Sequence, residues 1–333
     1  MTREHRFLVA AAMRNEGPFI VEWVSWYRML GFDHILVATN NCTDHSPELL
    51  DALQAVGWVT HITHAPPPGT PPKRSAHRAF REHPLTARTE WLMVCDVDEF
   101  LVLHEGDGTI GGFLGDARLD VLGIAFHWKC FGTGGQVAWR DGLVHRTFTR
   151  AAPERHRANA WFKSIFRTPL SFGRFGAHGP HRFKGVWGKG GHRWIDTKGR
   201  ELGNYDATER PQKATAADRV THAAAQMNHY VLRSEESFGL KRSTLSAAAL
   251  RDRYSDDFYA LFNRNEVEDQ SALAYTERFD AVHAEAMALP GVARLHHLCC
   301  ADYVARLAAK AGRPPEDDPR HAHHLREAAA CSG

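Results

Sequence analysis

The chain opens on a short unbroken apolar run, residues 7–13, that stops at the polar loop Arg14-Asn15-Glu16-Gly17-Pro18. A run of that length closed by breakers predicts a buried strand. The spacing then changes. Ile20, Trp23, Val24, Tyr27 and Leu30 recur every three or four positions with Gly31 behind them, which predicts an amphipathic helix with a glycine cap. A second apolar run at 34–38 ends in turn formers 39–45, and a helix with Ser46 as cap and Pro47 as first residue carries Leu49, Leu50, Leu53 and Val56 on one face. A third strand is expected at 59–63, a proline-rich connector at 65–72, a helix at 73–82, and a fourth strand at 91–95 that runs into Asp96. Strands alternating with helices imply an α/β fold with a mostly parallel sheet covered on both faces, whose ligands sit beyond the carboxyl ends of the strands. The polar endings at 15–16, 40–44 and 96–99 would then face one crevice.

Beyond Phe100 the pattern loosens. An apolar strand at 121–128 is followed by a glycine-rich stretch at 131–135 and by a basic, aromatic segment at 146–194. Regular patterning resumes with a strand at 227–232, a helix at 235–250 capped by Ser234, and helices at 279–289 and 302–311. After Gly312 little apolar surface is left to bury, so 314–333 is expected to lack order. There is no internal repeat.

Composition adds mainly exclusions. Among 333 residues the formal net charge is +2, which argues against a general nucleic-acid binder. No apolar run reaches the roughly 18 to 20 residues of a transmembrane segment, and the start lacks the pattern of a signal peptide. The six cysteines form no Cys-x-x-Cys pair and fit a reducing cytoplasm. The 22 histidines are scattered except for His321, His323 and His324, so composition alone names no metal site.

The candidate chemistry lies at Asp96-Val97-Asp98-Glu99. Alternation in extended backbone puts Asp96 and Asp98 on one side, where the two carboxylates repel unless a positive group joins them. Magnesium or manganese is the usual solution, since hard cations bridge carboxylates to nucleotide phosphates. A solvated turn is the plainer alternative for an isolated Asp-x-Asp, and the position at a strand's carboxyl end favours the metal. A dehalogenase-type phosphatase carries such a motif nearer its start and followed by threonine. The glycine loops of dinucleotide and P-loop folds and the Gly-x-Ser-x-Gly elbow are absent.

Several separated segments together resemble the glycosyltransferase family 2 superfamily, in the branch related to glycosyltransferase family 92. They are Arg14-Asn15-Glu16-Gly17 with Glu22-Trp23, Gly31-Phe32-Asp33-His34, Asn40-Asn41-Cys42-Thr43-Asp44, Asp96-Val97-Asp98-Glu99-Phe100, and Asn228-His229-Tyr230 with Arg233-Ser234 to Lys241. The resemblance covers roughly residues 7–300. It implies one GT-A domain over 1–313, divided into a nucleotide-binding half (1–103), an acceptor-side half (104–232) and C-terminal helices (233–313).

By this resemblance the enzyme moves a hexose from a nucleotide-diphosphate sugar, a UDP sugar among the candidates, to a carbohydrate or lipid-linked acceptor, with inversion. Asn15, Glu16 and Asp44 match positions near the base and ribose, where amides and carboxylates can read a uracil edge; the asparagines also suit turns. Asp96 and Asp98 would hold Mn2+ or Mg2+, with His229 completing the coordination or touching the diphosphate, unless His229 is simply a buried strand residue. Lys241 and Arg242 could hold phosphate oxygens or face water. His178 and His181 fall where the family carries a substrate histidine, or else brace their loop.

Two departures qualify the expectation. Cys42 stands where relatives carry a hydroxyl. No acid pair marks the base that takes the acceptor's proton, which leaves Glu99, Asp141, Glu154 and Asp196 as candidates. Trp161, Phe162, Phe172, Phe175, Phe183, Trp187 and Trp194 could stack on sugars or form a small core. A non-catalytic nucleotide-binding relative and a metal-dependent phosphohydrolase are the alternatives. Peripheral membrane contact stays open, and the sequence sets no oligomeric state.

Overall fold

The computed structural model describes residues 5–115, 121–187, 189, 192–203, 205–208, 212–242, 244–245, 247, 250 and 252–331. The early apolar runs become parallel strands: β1 (His5–Met13) pairs with β2 (His34–Thr39), and β2 with β3 (Thr60–Thr63). On the other side of β1 lies β4 (Thr89–Val94), also parallel. The strand after the acidic motif, β5 (Glu99–Leu103), closes the far edge of the sheet. Between these two stand β6 (Gly123–Cys130), β8 (Phe162–Arg167) and β12 (Ala225–His229), in the order β3-β2-β1-β4-β8-β6-β12-β5. The two-residue β7 (Arg150–Ala151) lies outside this sheet. The expected α/β architecture with a mostly parallel sheet is thus what forms, with β8 and β5 as antiparallel intrusions.

The basic, aromatic segment continues from β8. It carries the hairpin of β9 (Phe172–Arg174) and β10 (His181–Phe183), and it returns as β11 (Trp194–Asp196), parallel to β6. The Trp194 indole lies against the bare Cα of Gly123, where a Cβ would overlap the ring. Phe162, Phe172, Phe175, Phe183 and Trp194 are buried in a second core beneath the sheet, and Trp187 packs against that core while Trp161 packs against the first. The aromatic stretch therefore builds interior rather than a sugar platform. A last short strand, β13 (Val267–Glu268), pairs with β7.

The helices refine the sequence reading. Helix α1 (Gly17–Met29) is buried on nearly every side rather than amphipathic, because α9 (Thr276–Met287) and α10 (Val292–Lys310) cover its outer face. Helix α2 (Ser46–Ala55) starts at Ser46 itself rather than after it, and Asp44, two residues back, accepts from Ser46 N at 3.2 Å and from Ser46 Oγ at 2.8 Å. Helix α3 (Pro72–Glu82) lies over β1 and β2, and the single turns α4 (Pro84–Arg88), α5 (Ile110–Leu114) and α6 (Val144–Thr147) serve as connectors. Helix α7 (Glu235–Arg242) ends well before residue 250, and Ser234 does cap it, accepting from Ser237 N at 3.2 Å. It is followed by α8 (Asp256–Phe262). The tail expected to lack order instead forms α11 (Pro319–Ala330) against α10, burying His324 and Ala328. All six cysteines are free, and among the described residues no helix is long and apolar enough to cross a membrane.

Candidate active site

Buried aromatic residues of α1 hold the acidic motif in place. The indole of Trp23 donates to Asp96 O (3.1 Å), that of Trp26 donates to Leu101 O (2.8 Å), and the Tyr27 hydroxyl donates to Glu99 O (3.0 Å). Glu22, beside them, is 3% exposed and accepts from Val144 N, His145 N and His145 Nδ1, fastening α1 to the start of α6. Asp33 accepts from Arg6 N and Phe7 N and fixes the start of β1. Glu22, Trp23 and Asp33, which the sequence marks only as part of the resemblance, thus serve as scaffolding.

The acidic turn opens into a cleft of about 250 Å³ at the carboxyl ends of β1, β4 and β12. Asn15, at φ 57°, reaches it with its side chain bonded to Thr43 N and Oγ1. Glu16 lines it too and pairs with Arg233 at 3.2 Å. Asp96 pairs with Lys73 at 2.6 Å and Lys163 at 3.3 Å; Asp98 pairs with Lys241 at 2.7 Å and faces His229 Nε2 at 3.7 Å. His178 and Arg306 complete the ring, with Arg306 donating to Asn15 O and His178 Nδ1 to Phe162 O.

Other predicted residues lie elsewhere. Asp44 caps α2 and accepts from Gly17 N. Arg242 turns away to Asp256 and lies over Phe238. His181 sits in the β9–β10 hairpin, paired with Arg174. Of the four base candidates, Asp141 stands among histidines of α10 and α11, Glu154 is exposed, and Asp196 is 1% exposed and bonded to Arg200. Glu99 is fully buried behind Asp96, accepting from Asp96 N and pairing with Lys163 at 3.0 Å. None of the four lines the cleft.

Electrostatics sort these groups. Burial works against charge on both aspartates, but Lys163 and Lys73 hold the Asp96 carboxyl well below its usual range, and Lys241 does the same for Asp98. Glu99 goes the other way. Burial outweighs its share of Lys163, the nearby aspartates add to the effect, and its pKa rises to about 7. Burial also lowers His229 and His178 to about 3, so both rings are neutral at physiological pH.

The hydrogen bonding of the donor set leaves room for a divalent cation. His229 Nδ1 is buried with no partner among the described residues, and Nε2 stands too far from Asp98 Oδ1 for a hydrogen bond. A neutral imidazole nitrogen and a carboxylate oxygen facing each other in this way suit a magnesium- or manganese-class ion. The other three oxygens of the pair already meet lysine ammonium groups.

Sequence reasoning missed Lys73, Lys163 and Arg306. Only Lys163 gave a signal, as a lysine inside the apolar run of β8; it is 1% exposed. Arg233 had appeared only within a motif. It is 3% exposed, stacks on Phe19 with its guanidinium 3.4 Å from the ring centroid, and leaves Nε and Nη2 without a partner among the described residues.

The family model of glycosyltransferase family 92 matches residues 10–210. A family 92 protein of Oryza sativa subsp. japonica is 28% identical over 165 residues, covering 47% of this chain and 27% of the relative. One from Ricinus communis is 27% identical over 164 residues, covering 47% and 28%. The match thus spans about a quarter of these relatives' length. Among solved structures, a mannosyltransferase from Pyrobaculum calidifontis in complex with GDP-Man and Mn2+ aligns over 99% of this chain and 87% of its own, at 15% identity and a TM-score of 0.36. TarS of S. aureus (residues 1–349) aligns over 98% and 91%, at 12% identity and a TM-score of 0.35. Scores this low leave the assignment to the family match. With that match covering most of the chain and including the acidic turn, the chain belongs to glycosyltransferase family 92.

Proposed function

We propose that the cleft binds a nucleotide-diphosphate sugar and that the enzyme transfers its hexose, with inversion, to a carbohydrate or lipid-linked acceptor. The observation that carries this reading is Arg233, a buried guanidinium with two unpaired nitrogens in a cleft that Lys73, Lys163, Lys241 and Arg306 also line. Leaving such donors unpaired costs roughly 1–3 kcal/mol or more, which a diphosphate would recover with charge-assisted hydrogen bonds. Asn15 and Glu16, at the end of β1, take the nucleoside side.

Asp98 and His229 would hold the metal, with Asp96 beside them. When bound, such an ion neutralises charge on the departing diphosphate. Lys241 serves the same end from the protein side. Its pairing with Asp98 keeps an ammonium at the site where leaving-group charge builds, ready to turn to phosphate oxygen. His178, whose Nδ1 is bonded to Phe162 O, keeps the Nε2 lone pair to accept from an acceptor hydroxyl.

A second groove of about 400 Å³ lies between α3 and the β9–β10 hairpin. It is lined by Arg74, Arg78, Arg81, Arg174 and Arg182. Five guanidinium groups favour an acceptor that carries phosphate, as a lipid-linked sugar does. Transfer without a metal is a second reading, favoured by the ammonium groups on Asp96 and Asp98.

The test is thermal stability with a panel of nucleoside diphosphates, with and without manganese. Binding at 100 dissociation constants stabilises by about 2.7 kcal/mol. A manganese-dependent shift with one nucleotide, lost in Asp98→Asn, supports the metal reading; a shift indifferent to manganese and EDTA supports the second. No shift with any nucleotide would refute donor binding.

A further inference from the structure

Away from the cleft, three elements bring ligating side chains together: the loop around Asp141, α10 and α11. Asp141, His297 and His324 each present one ligand atom, all within 4.8 Å of one another. His297 Nδ1 and His324 Nδ1 face each other at 3.2 Å across the two helices. In a tetrahedral zinc site, with Zn–N about 2.0–2.1 Å, two ligating nitrogens stand about 3.3 Å apart. The observed edge is of that length.

Two imidazoles and a carboxylate are ligand types that a zinc-class ion takes.

The packing of α11 gives a separate reason. Of its twelve residues only His324 and Ala328 are buried, and Leu325 is 44% exposed. A helix this polar gains little from apolar contact. Arg320 ties its first turn to Glu236 and Trp139 O, which leaves the middle of the helix to His324.

We propose that Asp141, His297 and His324 bind a zinc-class divalent cation that staples α11 to α10 and to the Asp141 loop. On the other side of Asp141, His296 Nε2 lies 3.8 Å from its carboxylate and 3.6 Å from Cys300 Sγ. Cys300 is outside the proposed set, because it is fully buried and its Sγ faces His296 rather than the pair His297 and His324.

The full chain, stripped with EDTA and exchanged into metal-free buffer, would be titrated with Zn2+ by calorimetry and with Co2+ by visible absorption. The expected result is a saturable site with tetrahedral cobalt bands, a raised Tm and slower hydrogen exchange in α11. Affinity for that site should fall at least tenfold in His297→Gln and in Asp141→Asn, a loop substitution that leaves both helices' apolar contacts in place. Asp98→Asn, which removes a candidate metal ligand of the cleft, should keep the tetrahedral site. Absence of a tetrahedral site in the wild type, unchanged binding at it in both cluster variants, its loss in Asp98→Asn, or an intense thiolate-to-cobalt band would each overturn the proposal.

Discussion

Lys163 stands between the half-buried Asp96 and the fully buried Glu99, and the two do not share it equally. Asp96 has Lys73 as well and keeps its charge, whereas Glu99 has only its part of Lys163 and is fully buried, so its pKa rises from 4.5 to about 7. The unfolded chain therefore loses this proton first. Stability contributed by Glu99 is full below pH 4.5, falls as pH rises toward 7, and is level above it. At 1.36 kcal/mol per unit the whole window is worth about 3 kcal/mol, and about 2 kcal/mol lies between pH 5.5 and pH 8. Glu99→Gln removes the ionisation and keeps an acceptor for Asp96 N. Urea unfolding followed by tryptophan fluorescence, on wild type and variant at both pH values, isolates the effect because other groups cancel in the difference. The variant should gain about 2 kcal/mol on the wild type in going from pH 5.5 to pH 8. A difference that stays flat would mean that Lys163 keeps Glu99 ionised throughout, and that burial does not decide its charge.

Further outcomes follow from neighbouring features. Asp98→Asn should abolish sugar transfer while the far-UV spectrum and urea midpoint stay near wild type; full activity would remove Asp98 from the site. His77, His222 and His229 are each lowered by burial to about 3. The unfolded chain thus takes up their protons first below pH 6.5, and stability should fall on acidification by up to about 1.4 kcal/mol per unit for each, measurable as a proton uptake on unfolding at pH 5. Gly123→Ala pushes a methyl group into the Trp194 ring and should cost about 1–3 kcal/mol, read as a lower urea midpoint; an unchanged midpoint would show that β11 can shift at no cost. Arg233→Met should weaken nucleoside diphosphate binding at least tenfold in calorimetry without loss of fold, since the methionine keeps an apolar chain over Phe19.

What the sequence determined by itself is what local pattern can carry. Apolar runs closed by breakers located β1, β2, β3 and β4, helical spacing located α1 and α2, and Asp96 fell at a strand's carboxyl end because the run from Trp91 stops there. Joint motif spacing was enough to suggest the family. Tertiary structure decided the partners. Lys73, Lys163 and Lys241 reach the acidic turn from 23, 67 and 143 residues away, and Arg306 reaches Asn15 across 291. No local period encodes such pairings; they depend on β8 entering the sheet antiparallel between β4 and β6, and on α10 crossing α1. The same reason explains the other differences. Helix α1 lost its polar face because two distant helices cover it, the aromatic segment became a core because β11 returned beside β6, and α11 found its place through His324 and Arg320 rather than through an apolar stripe that the sequence could display.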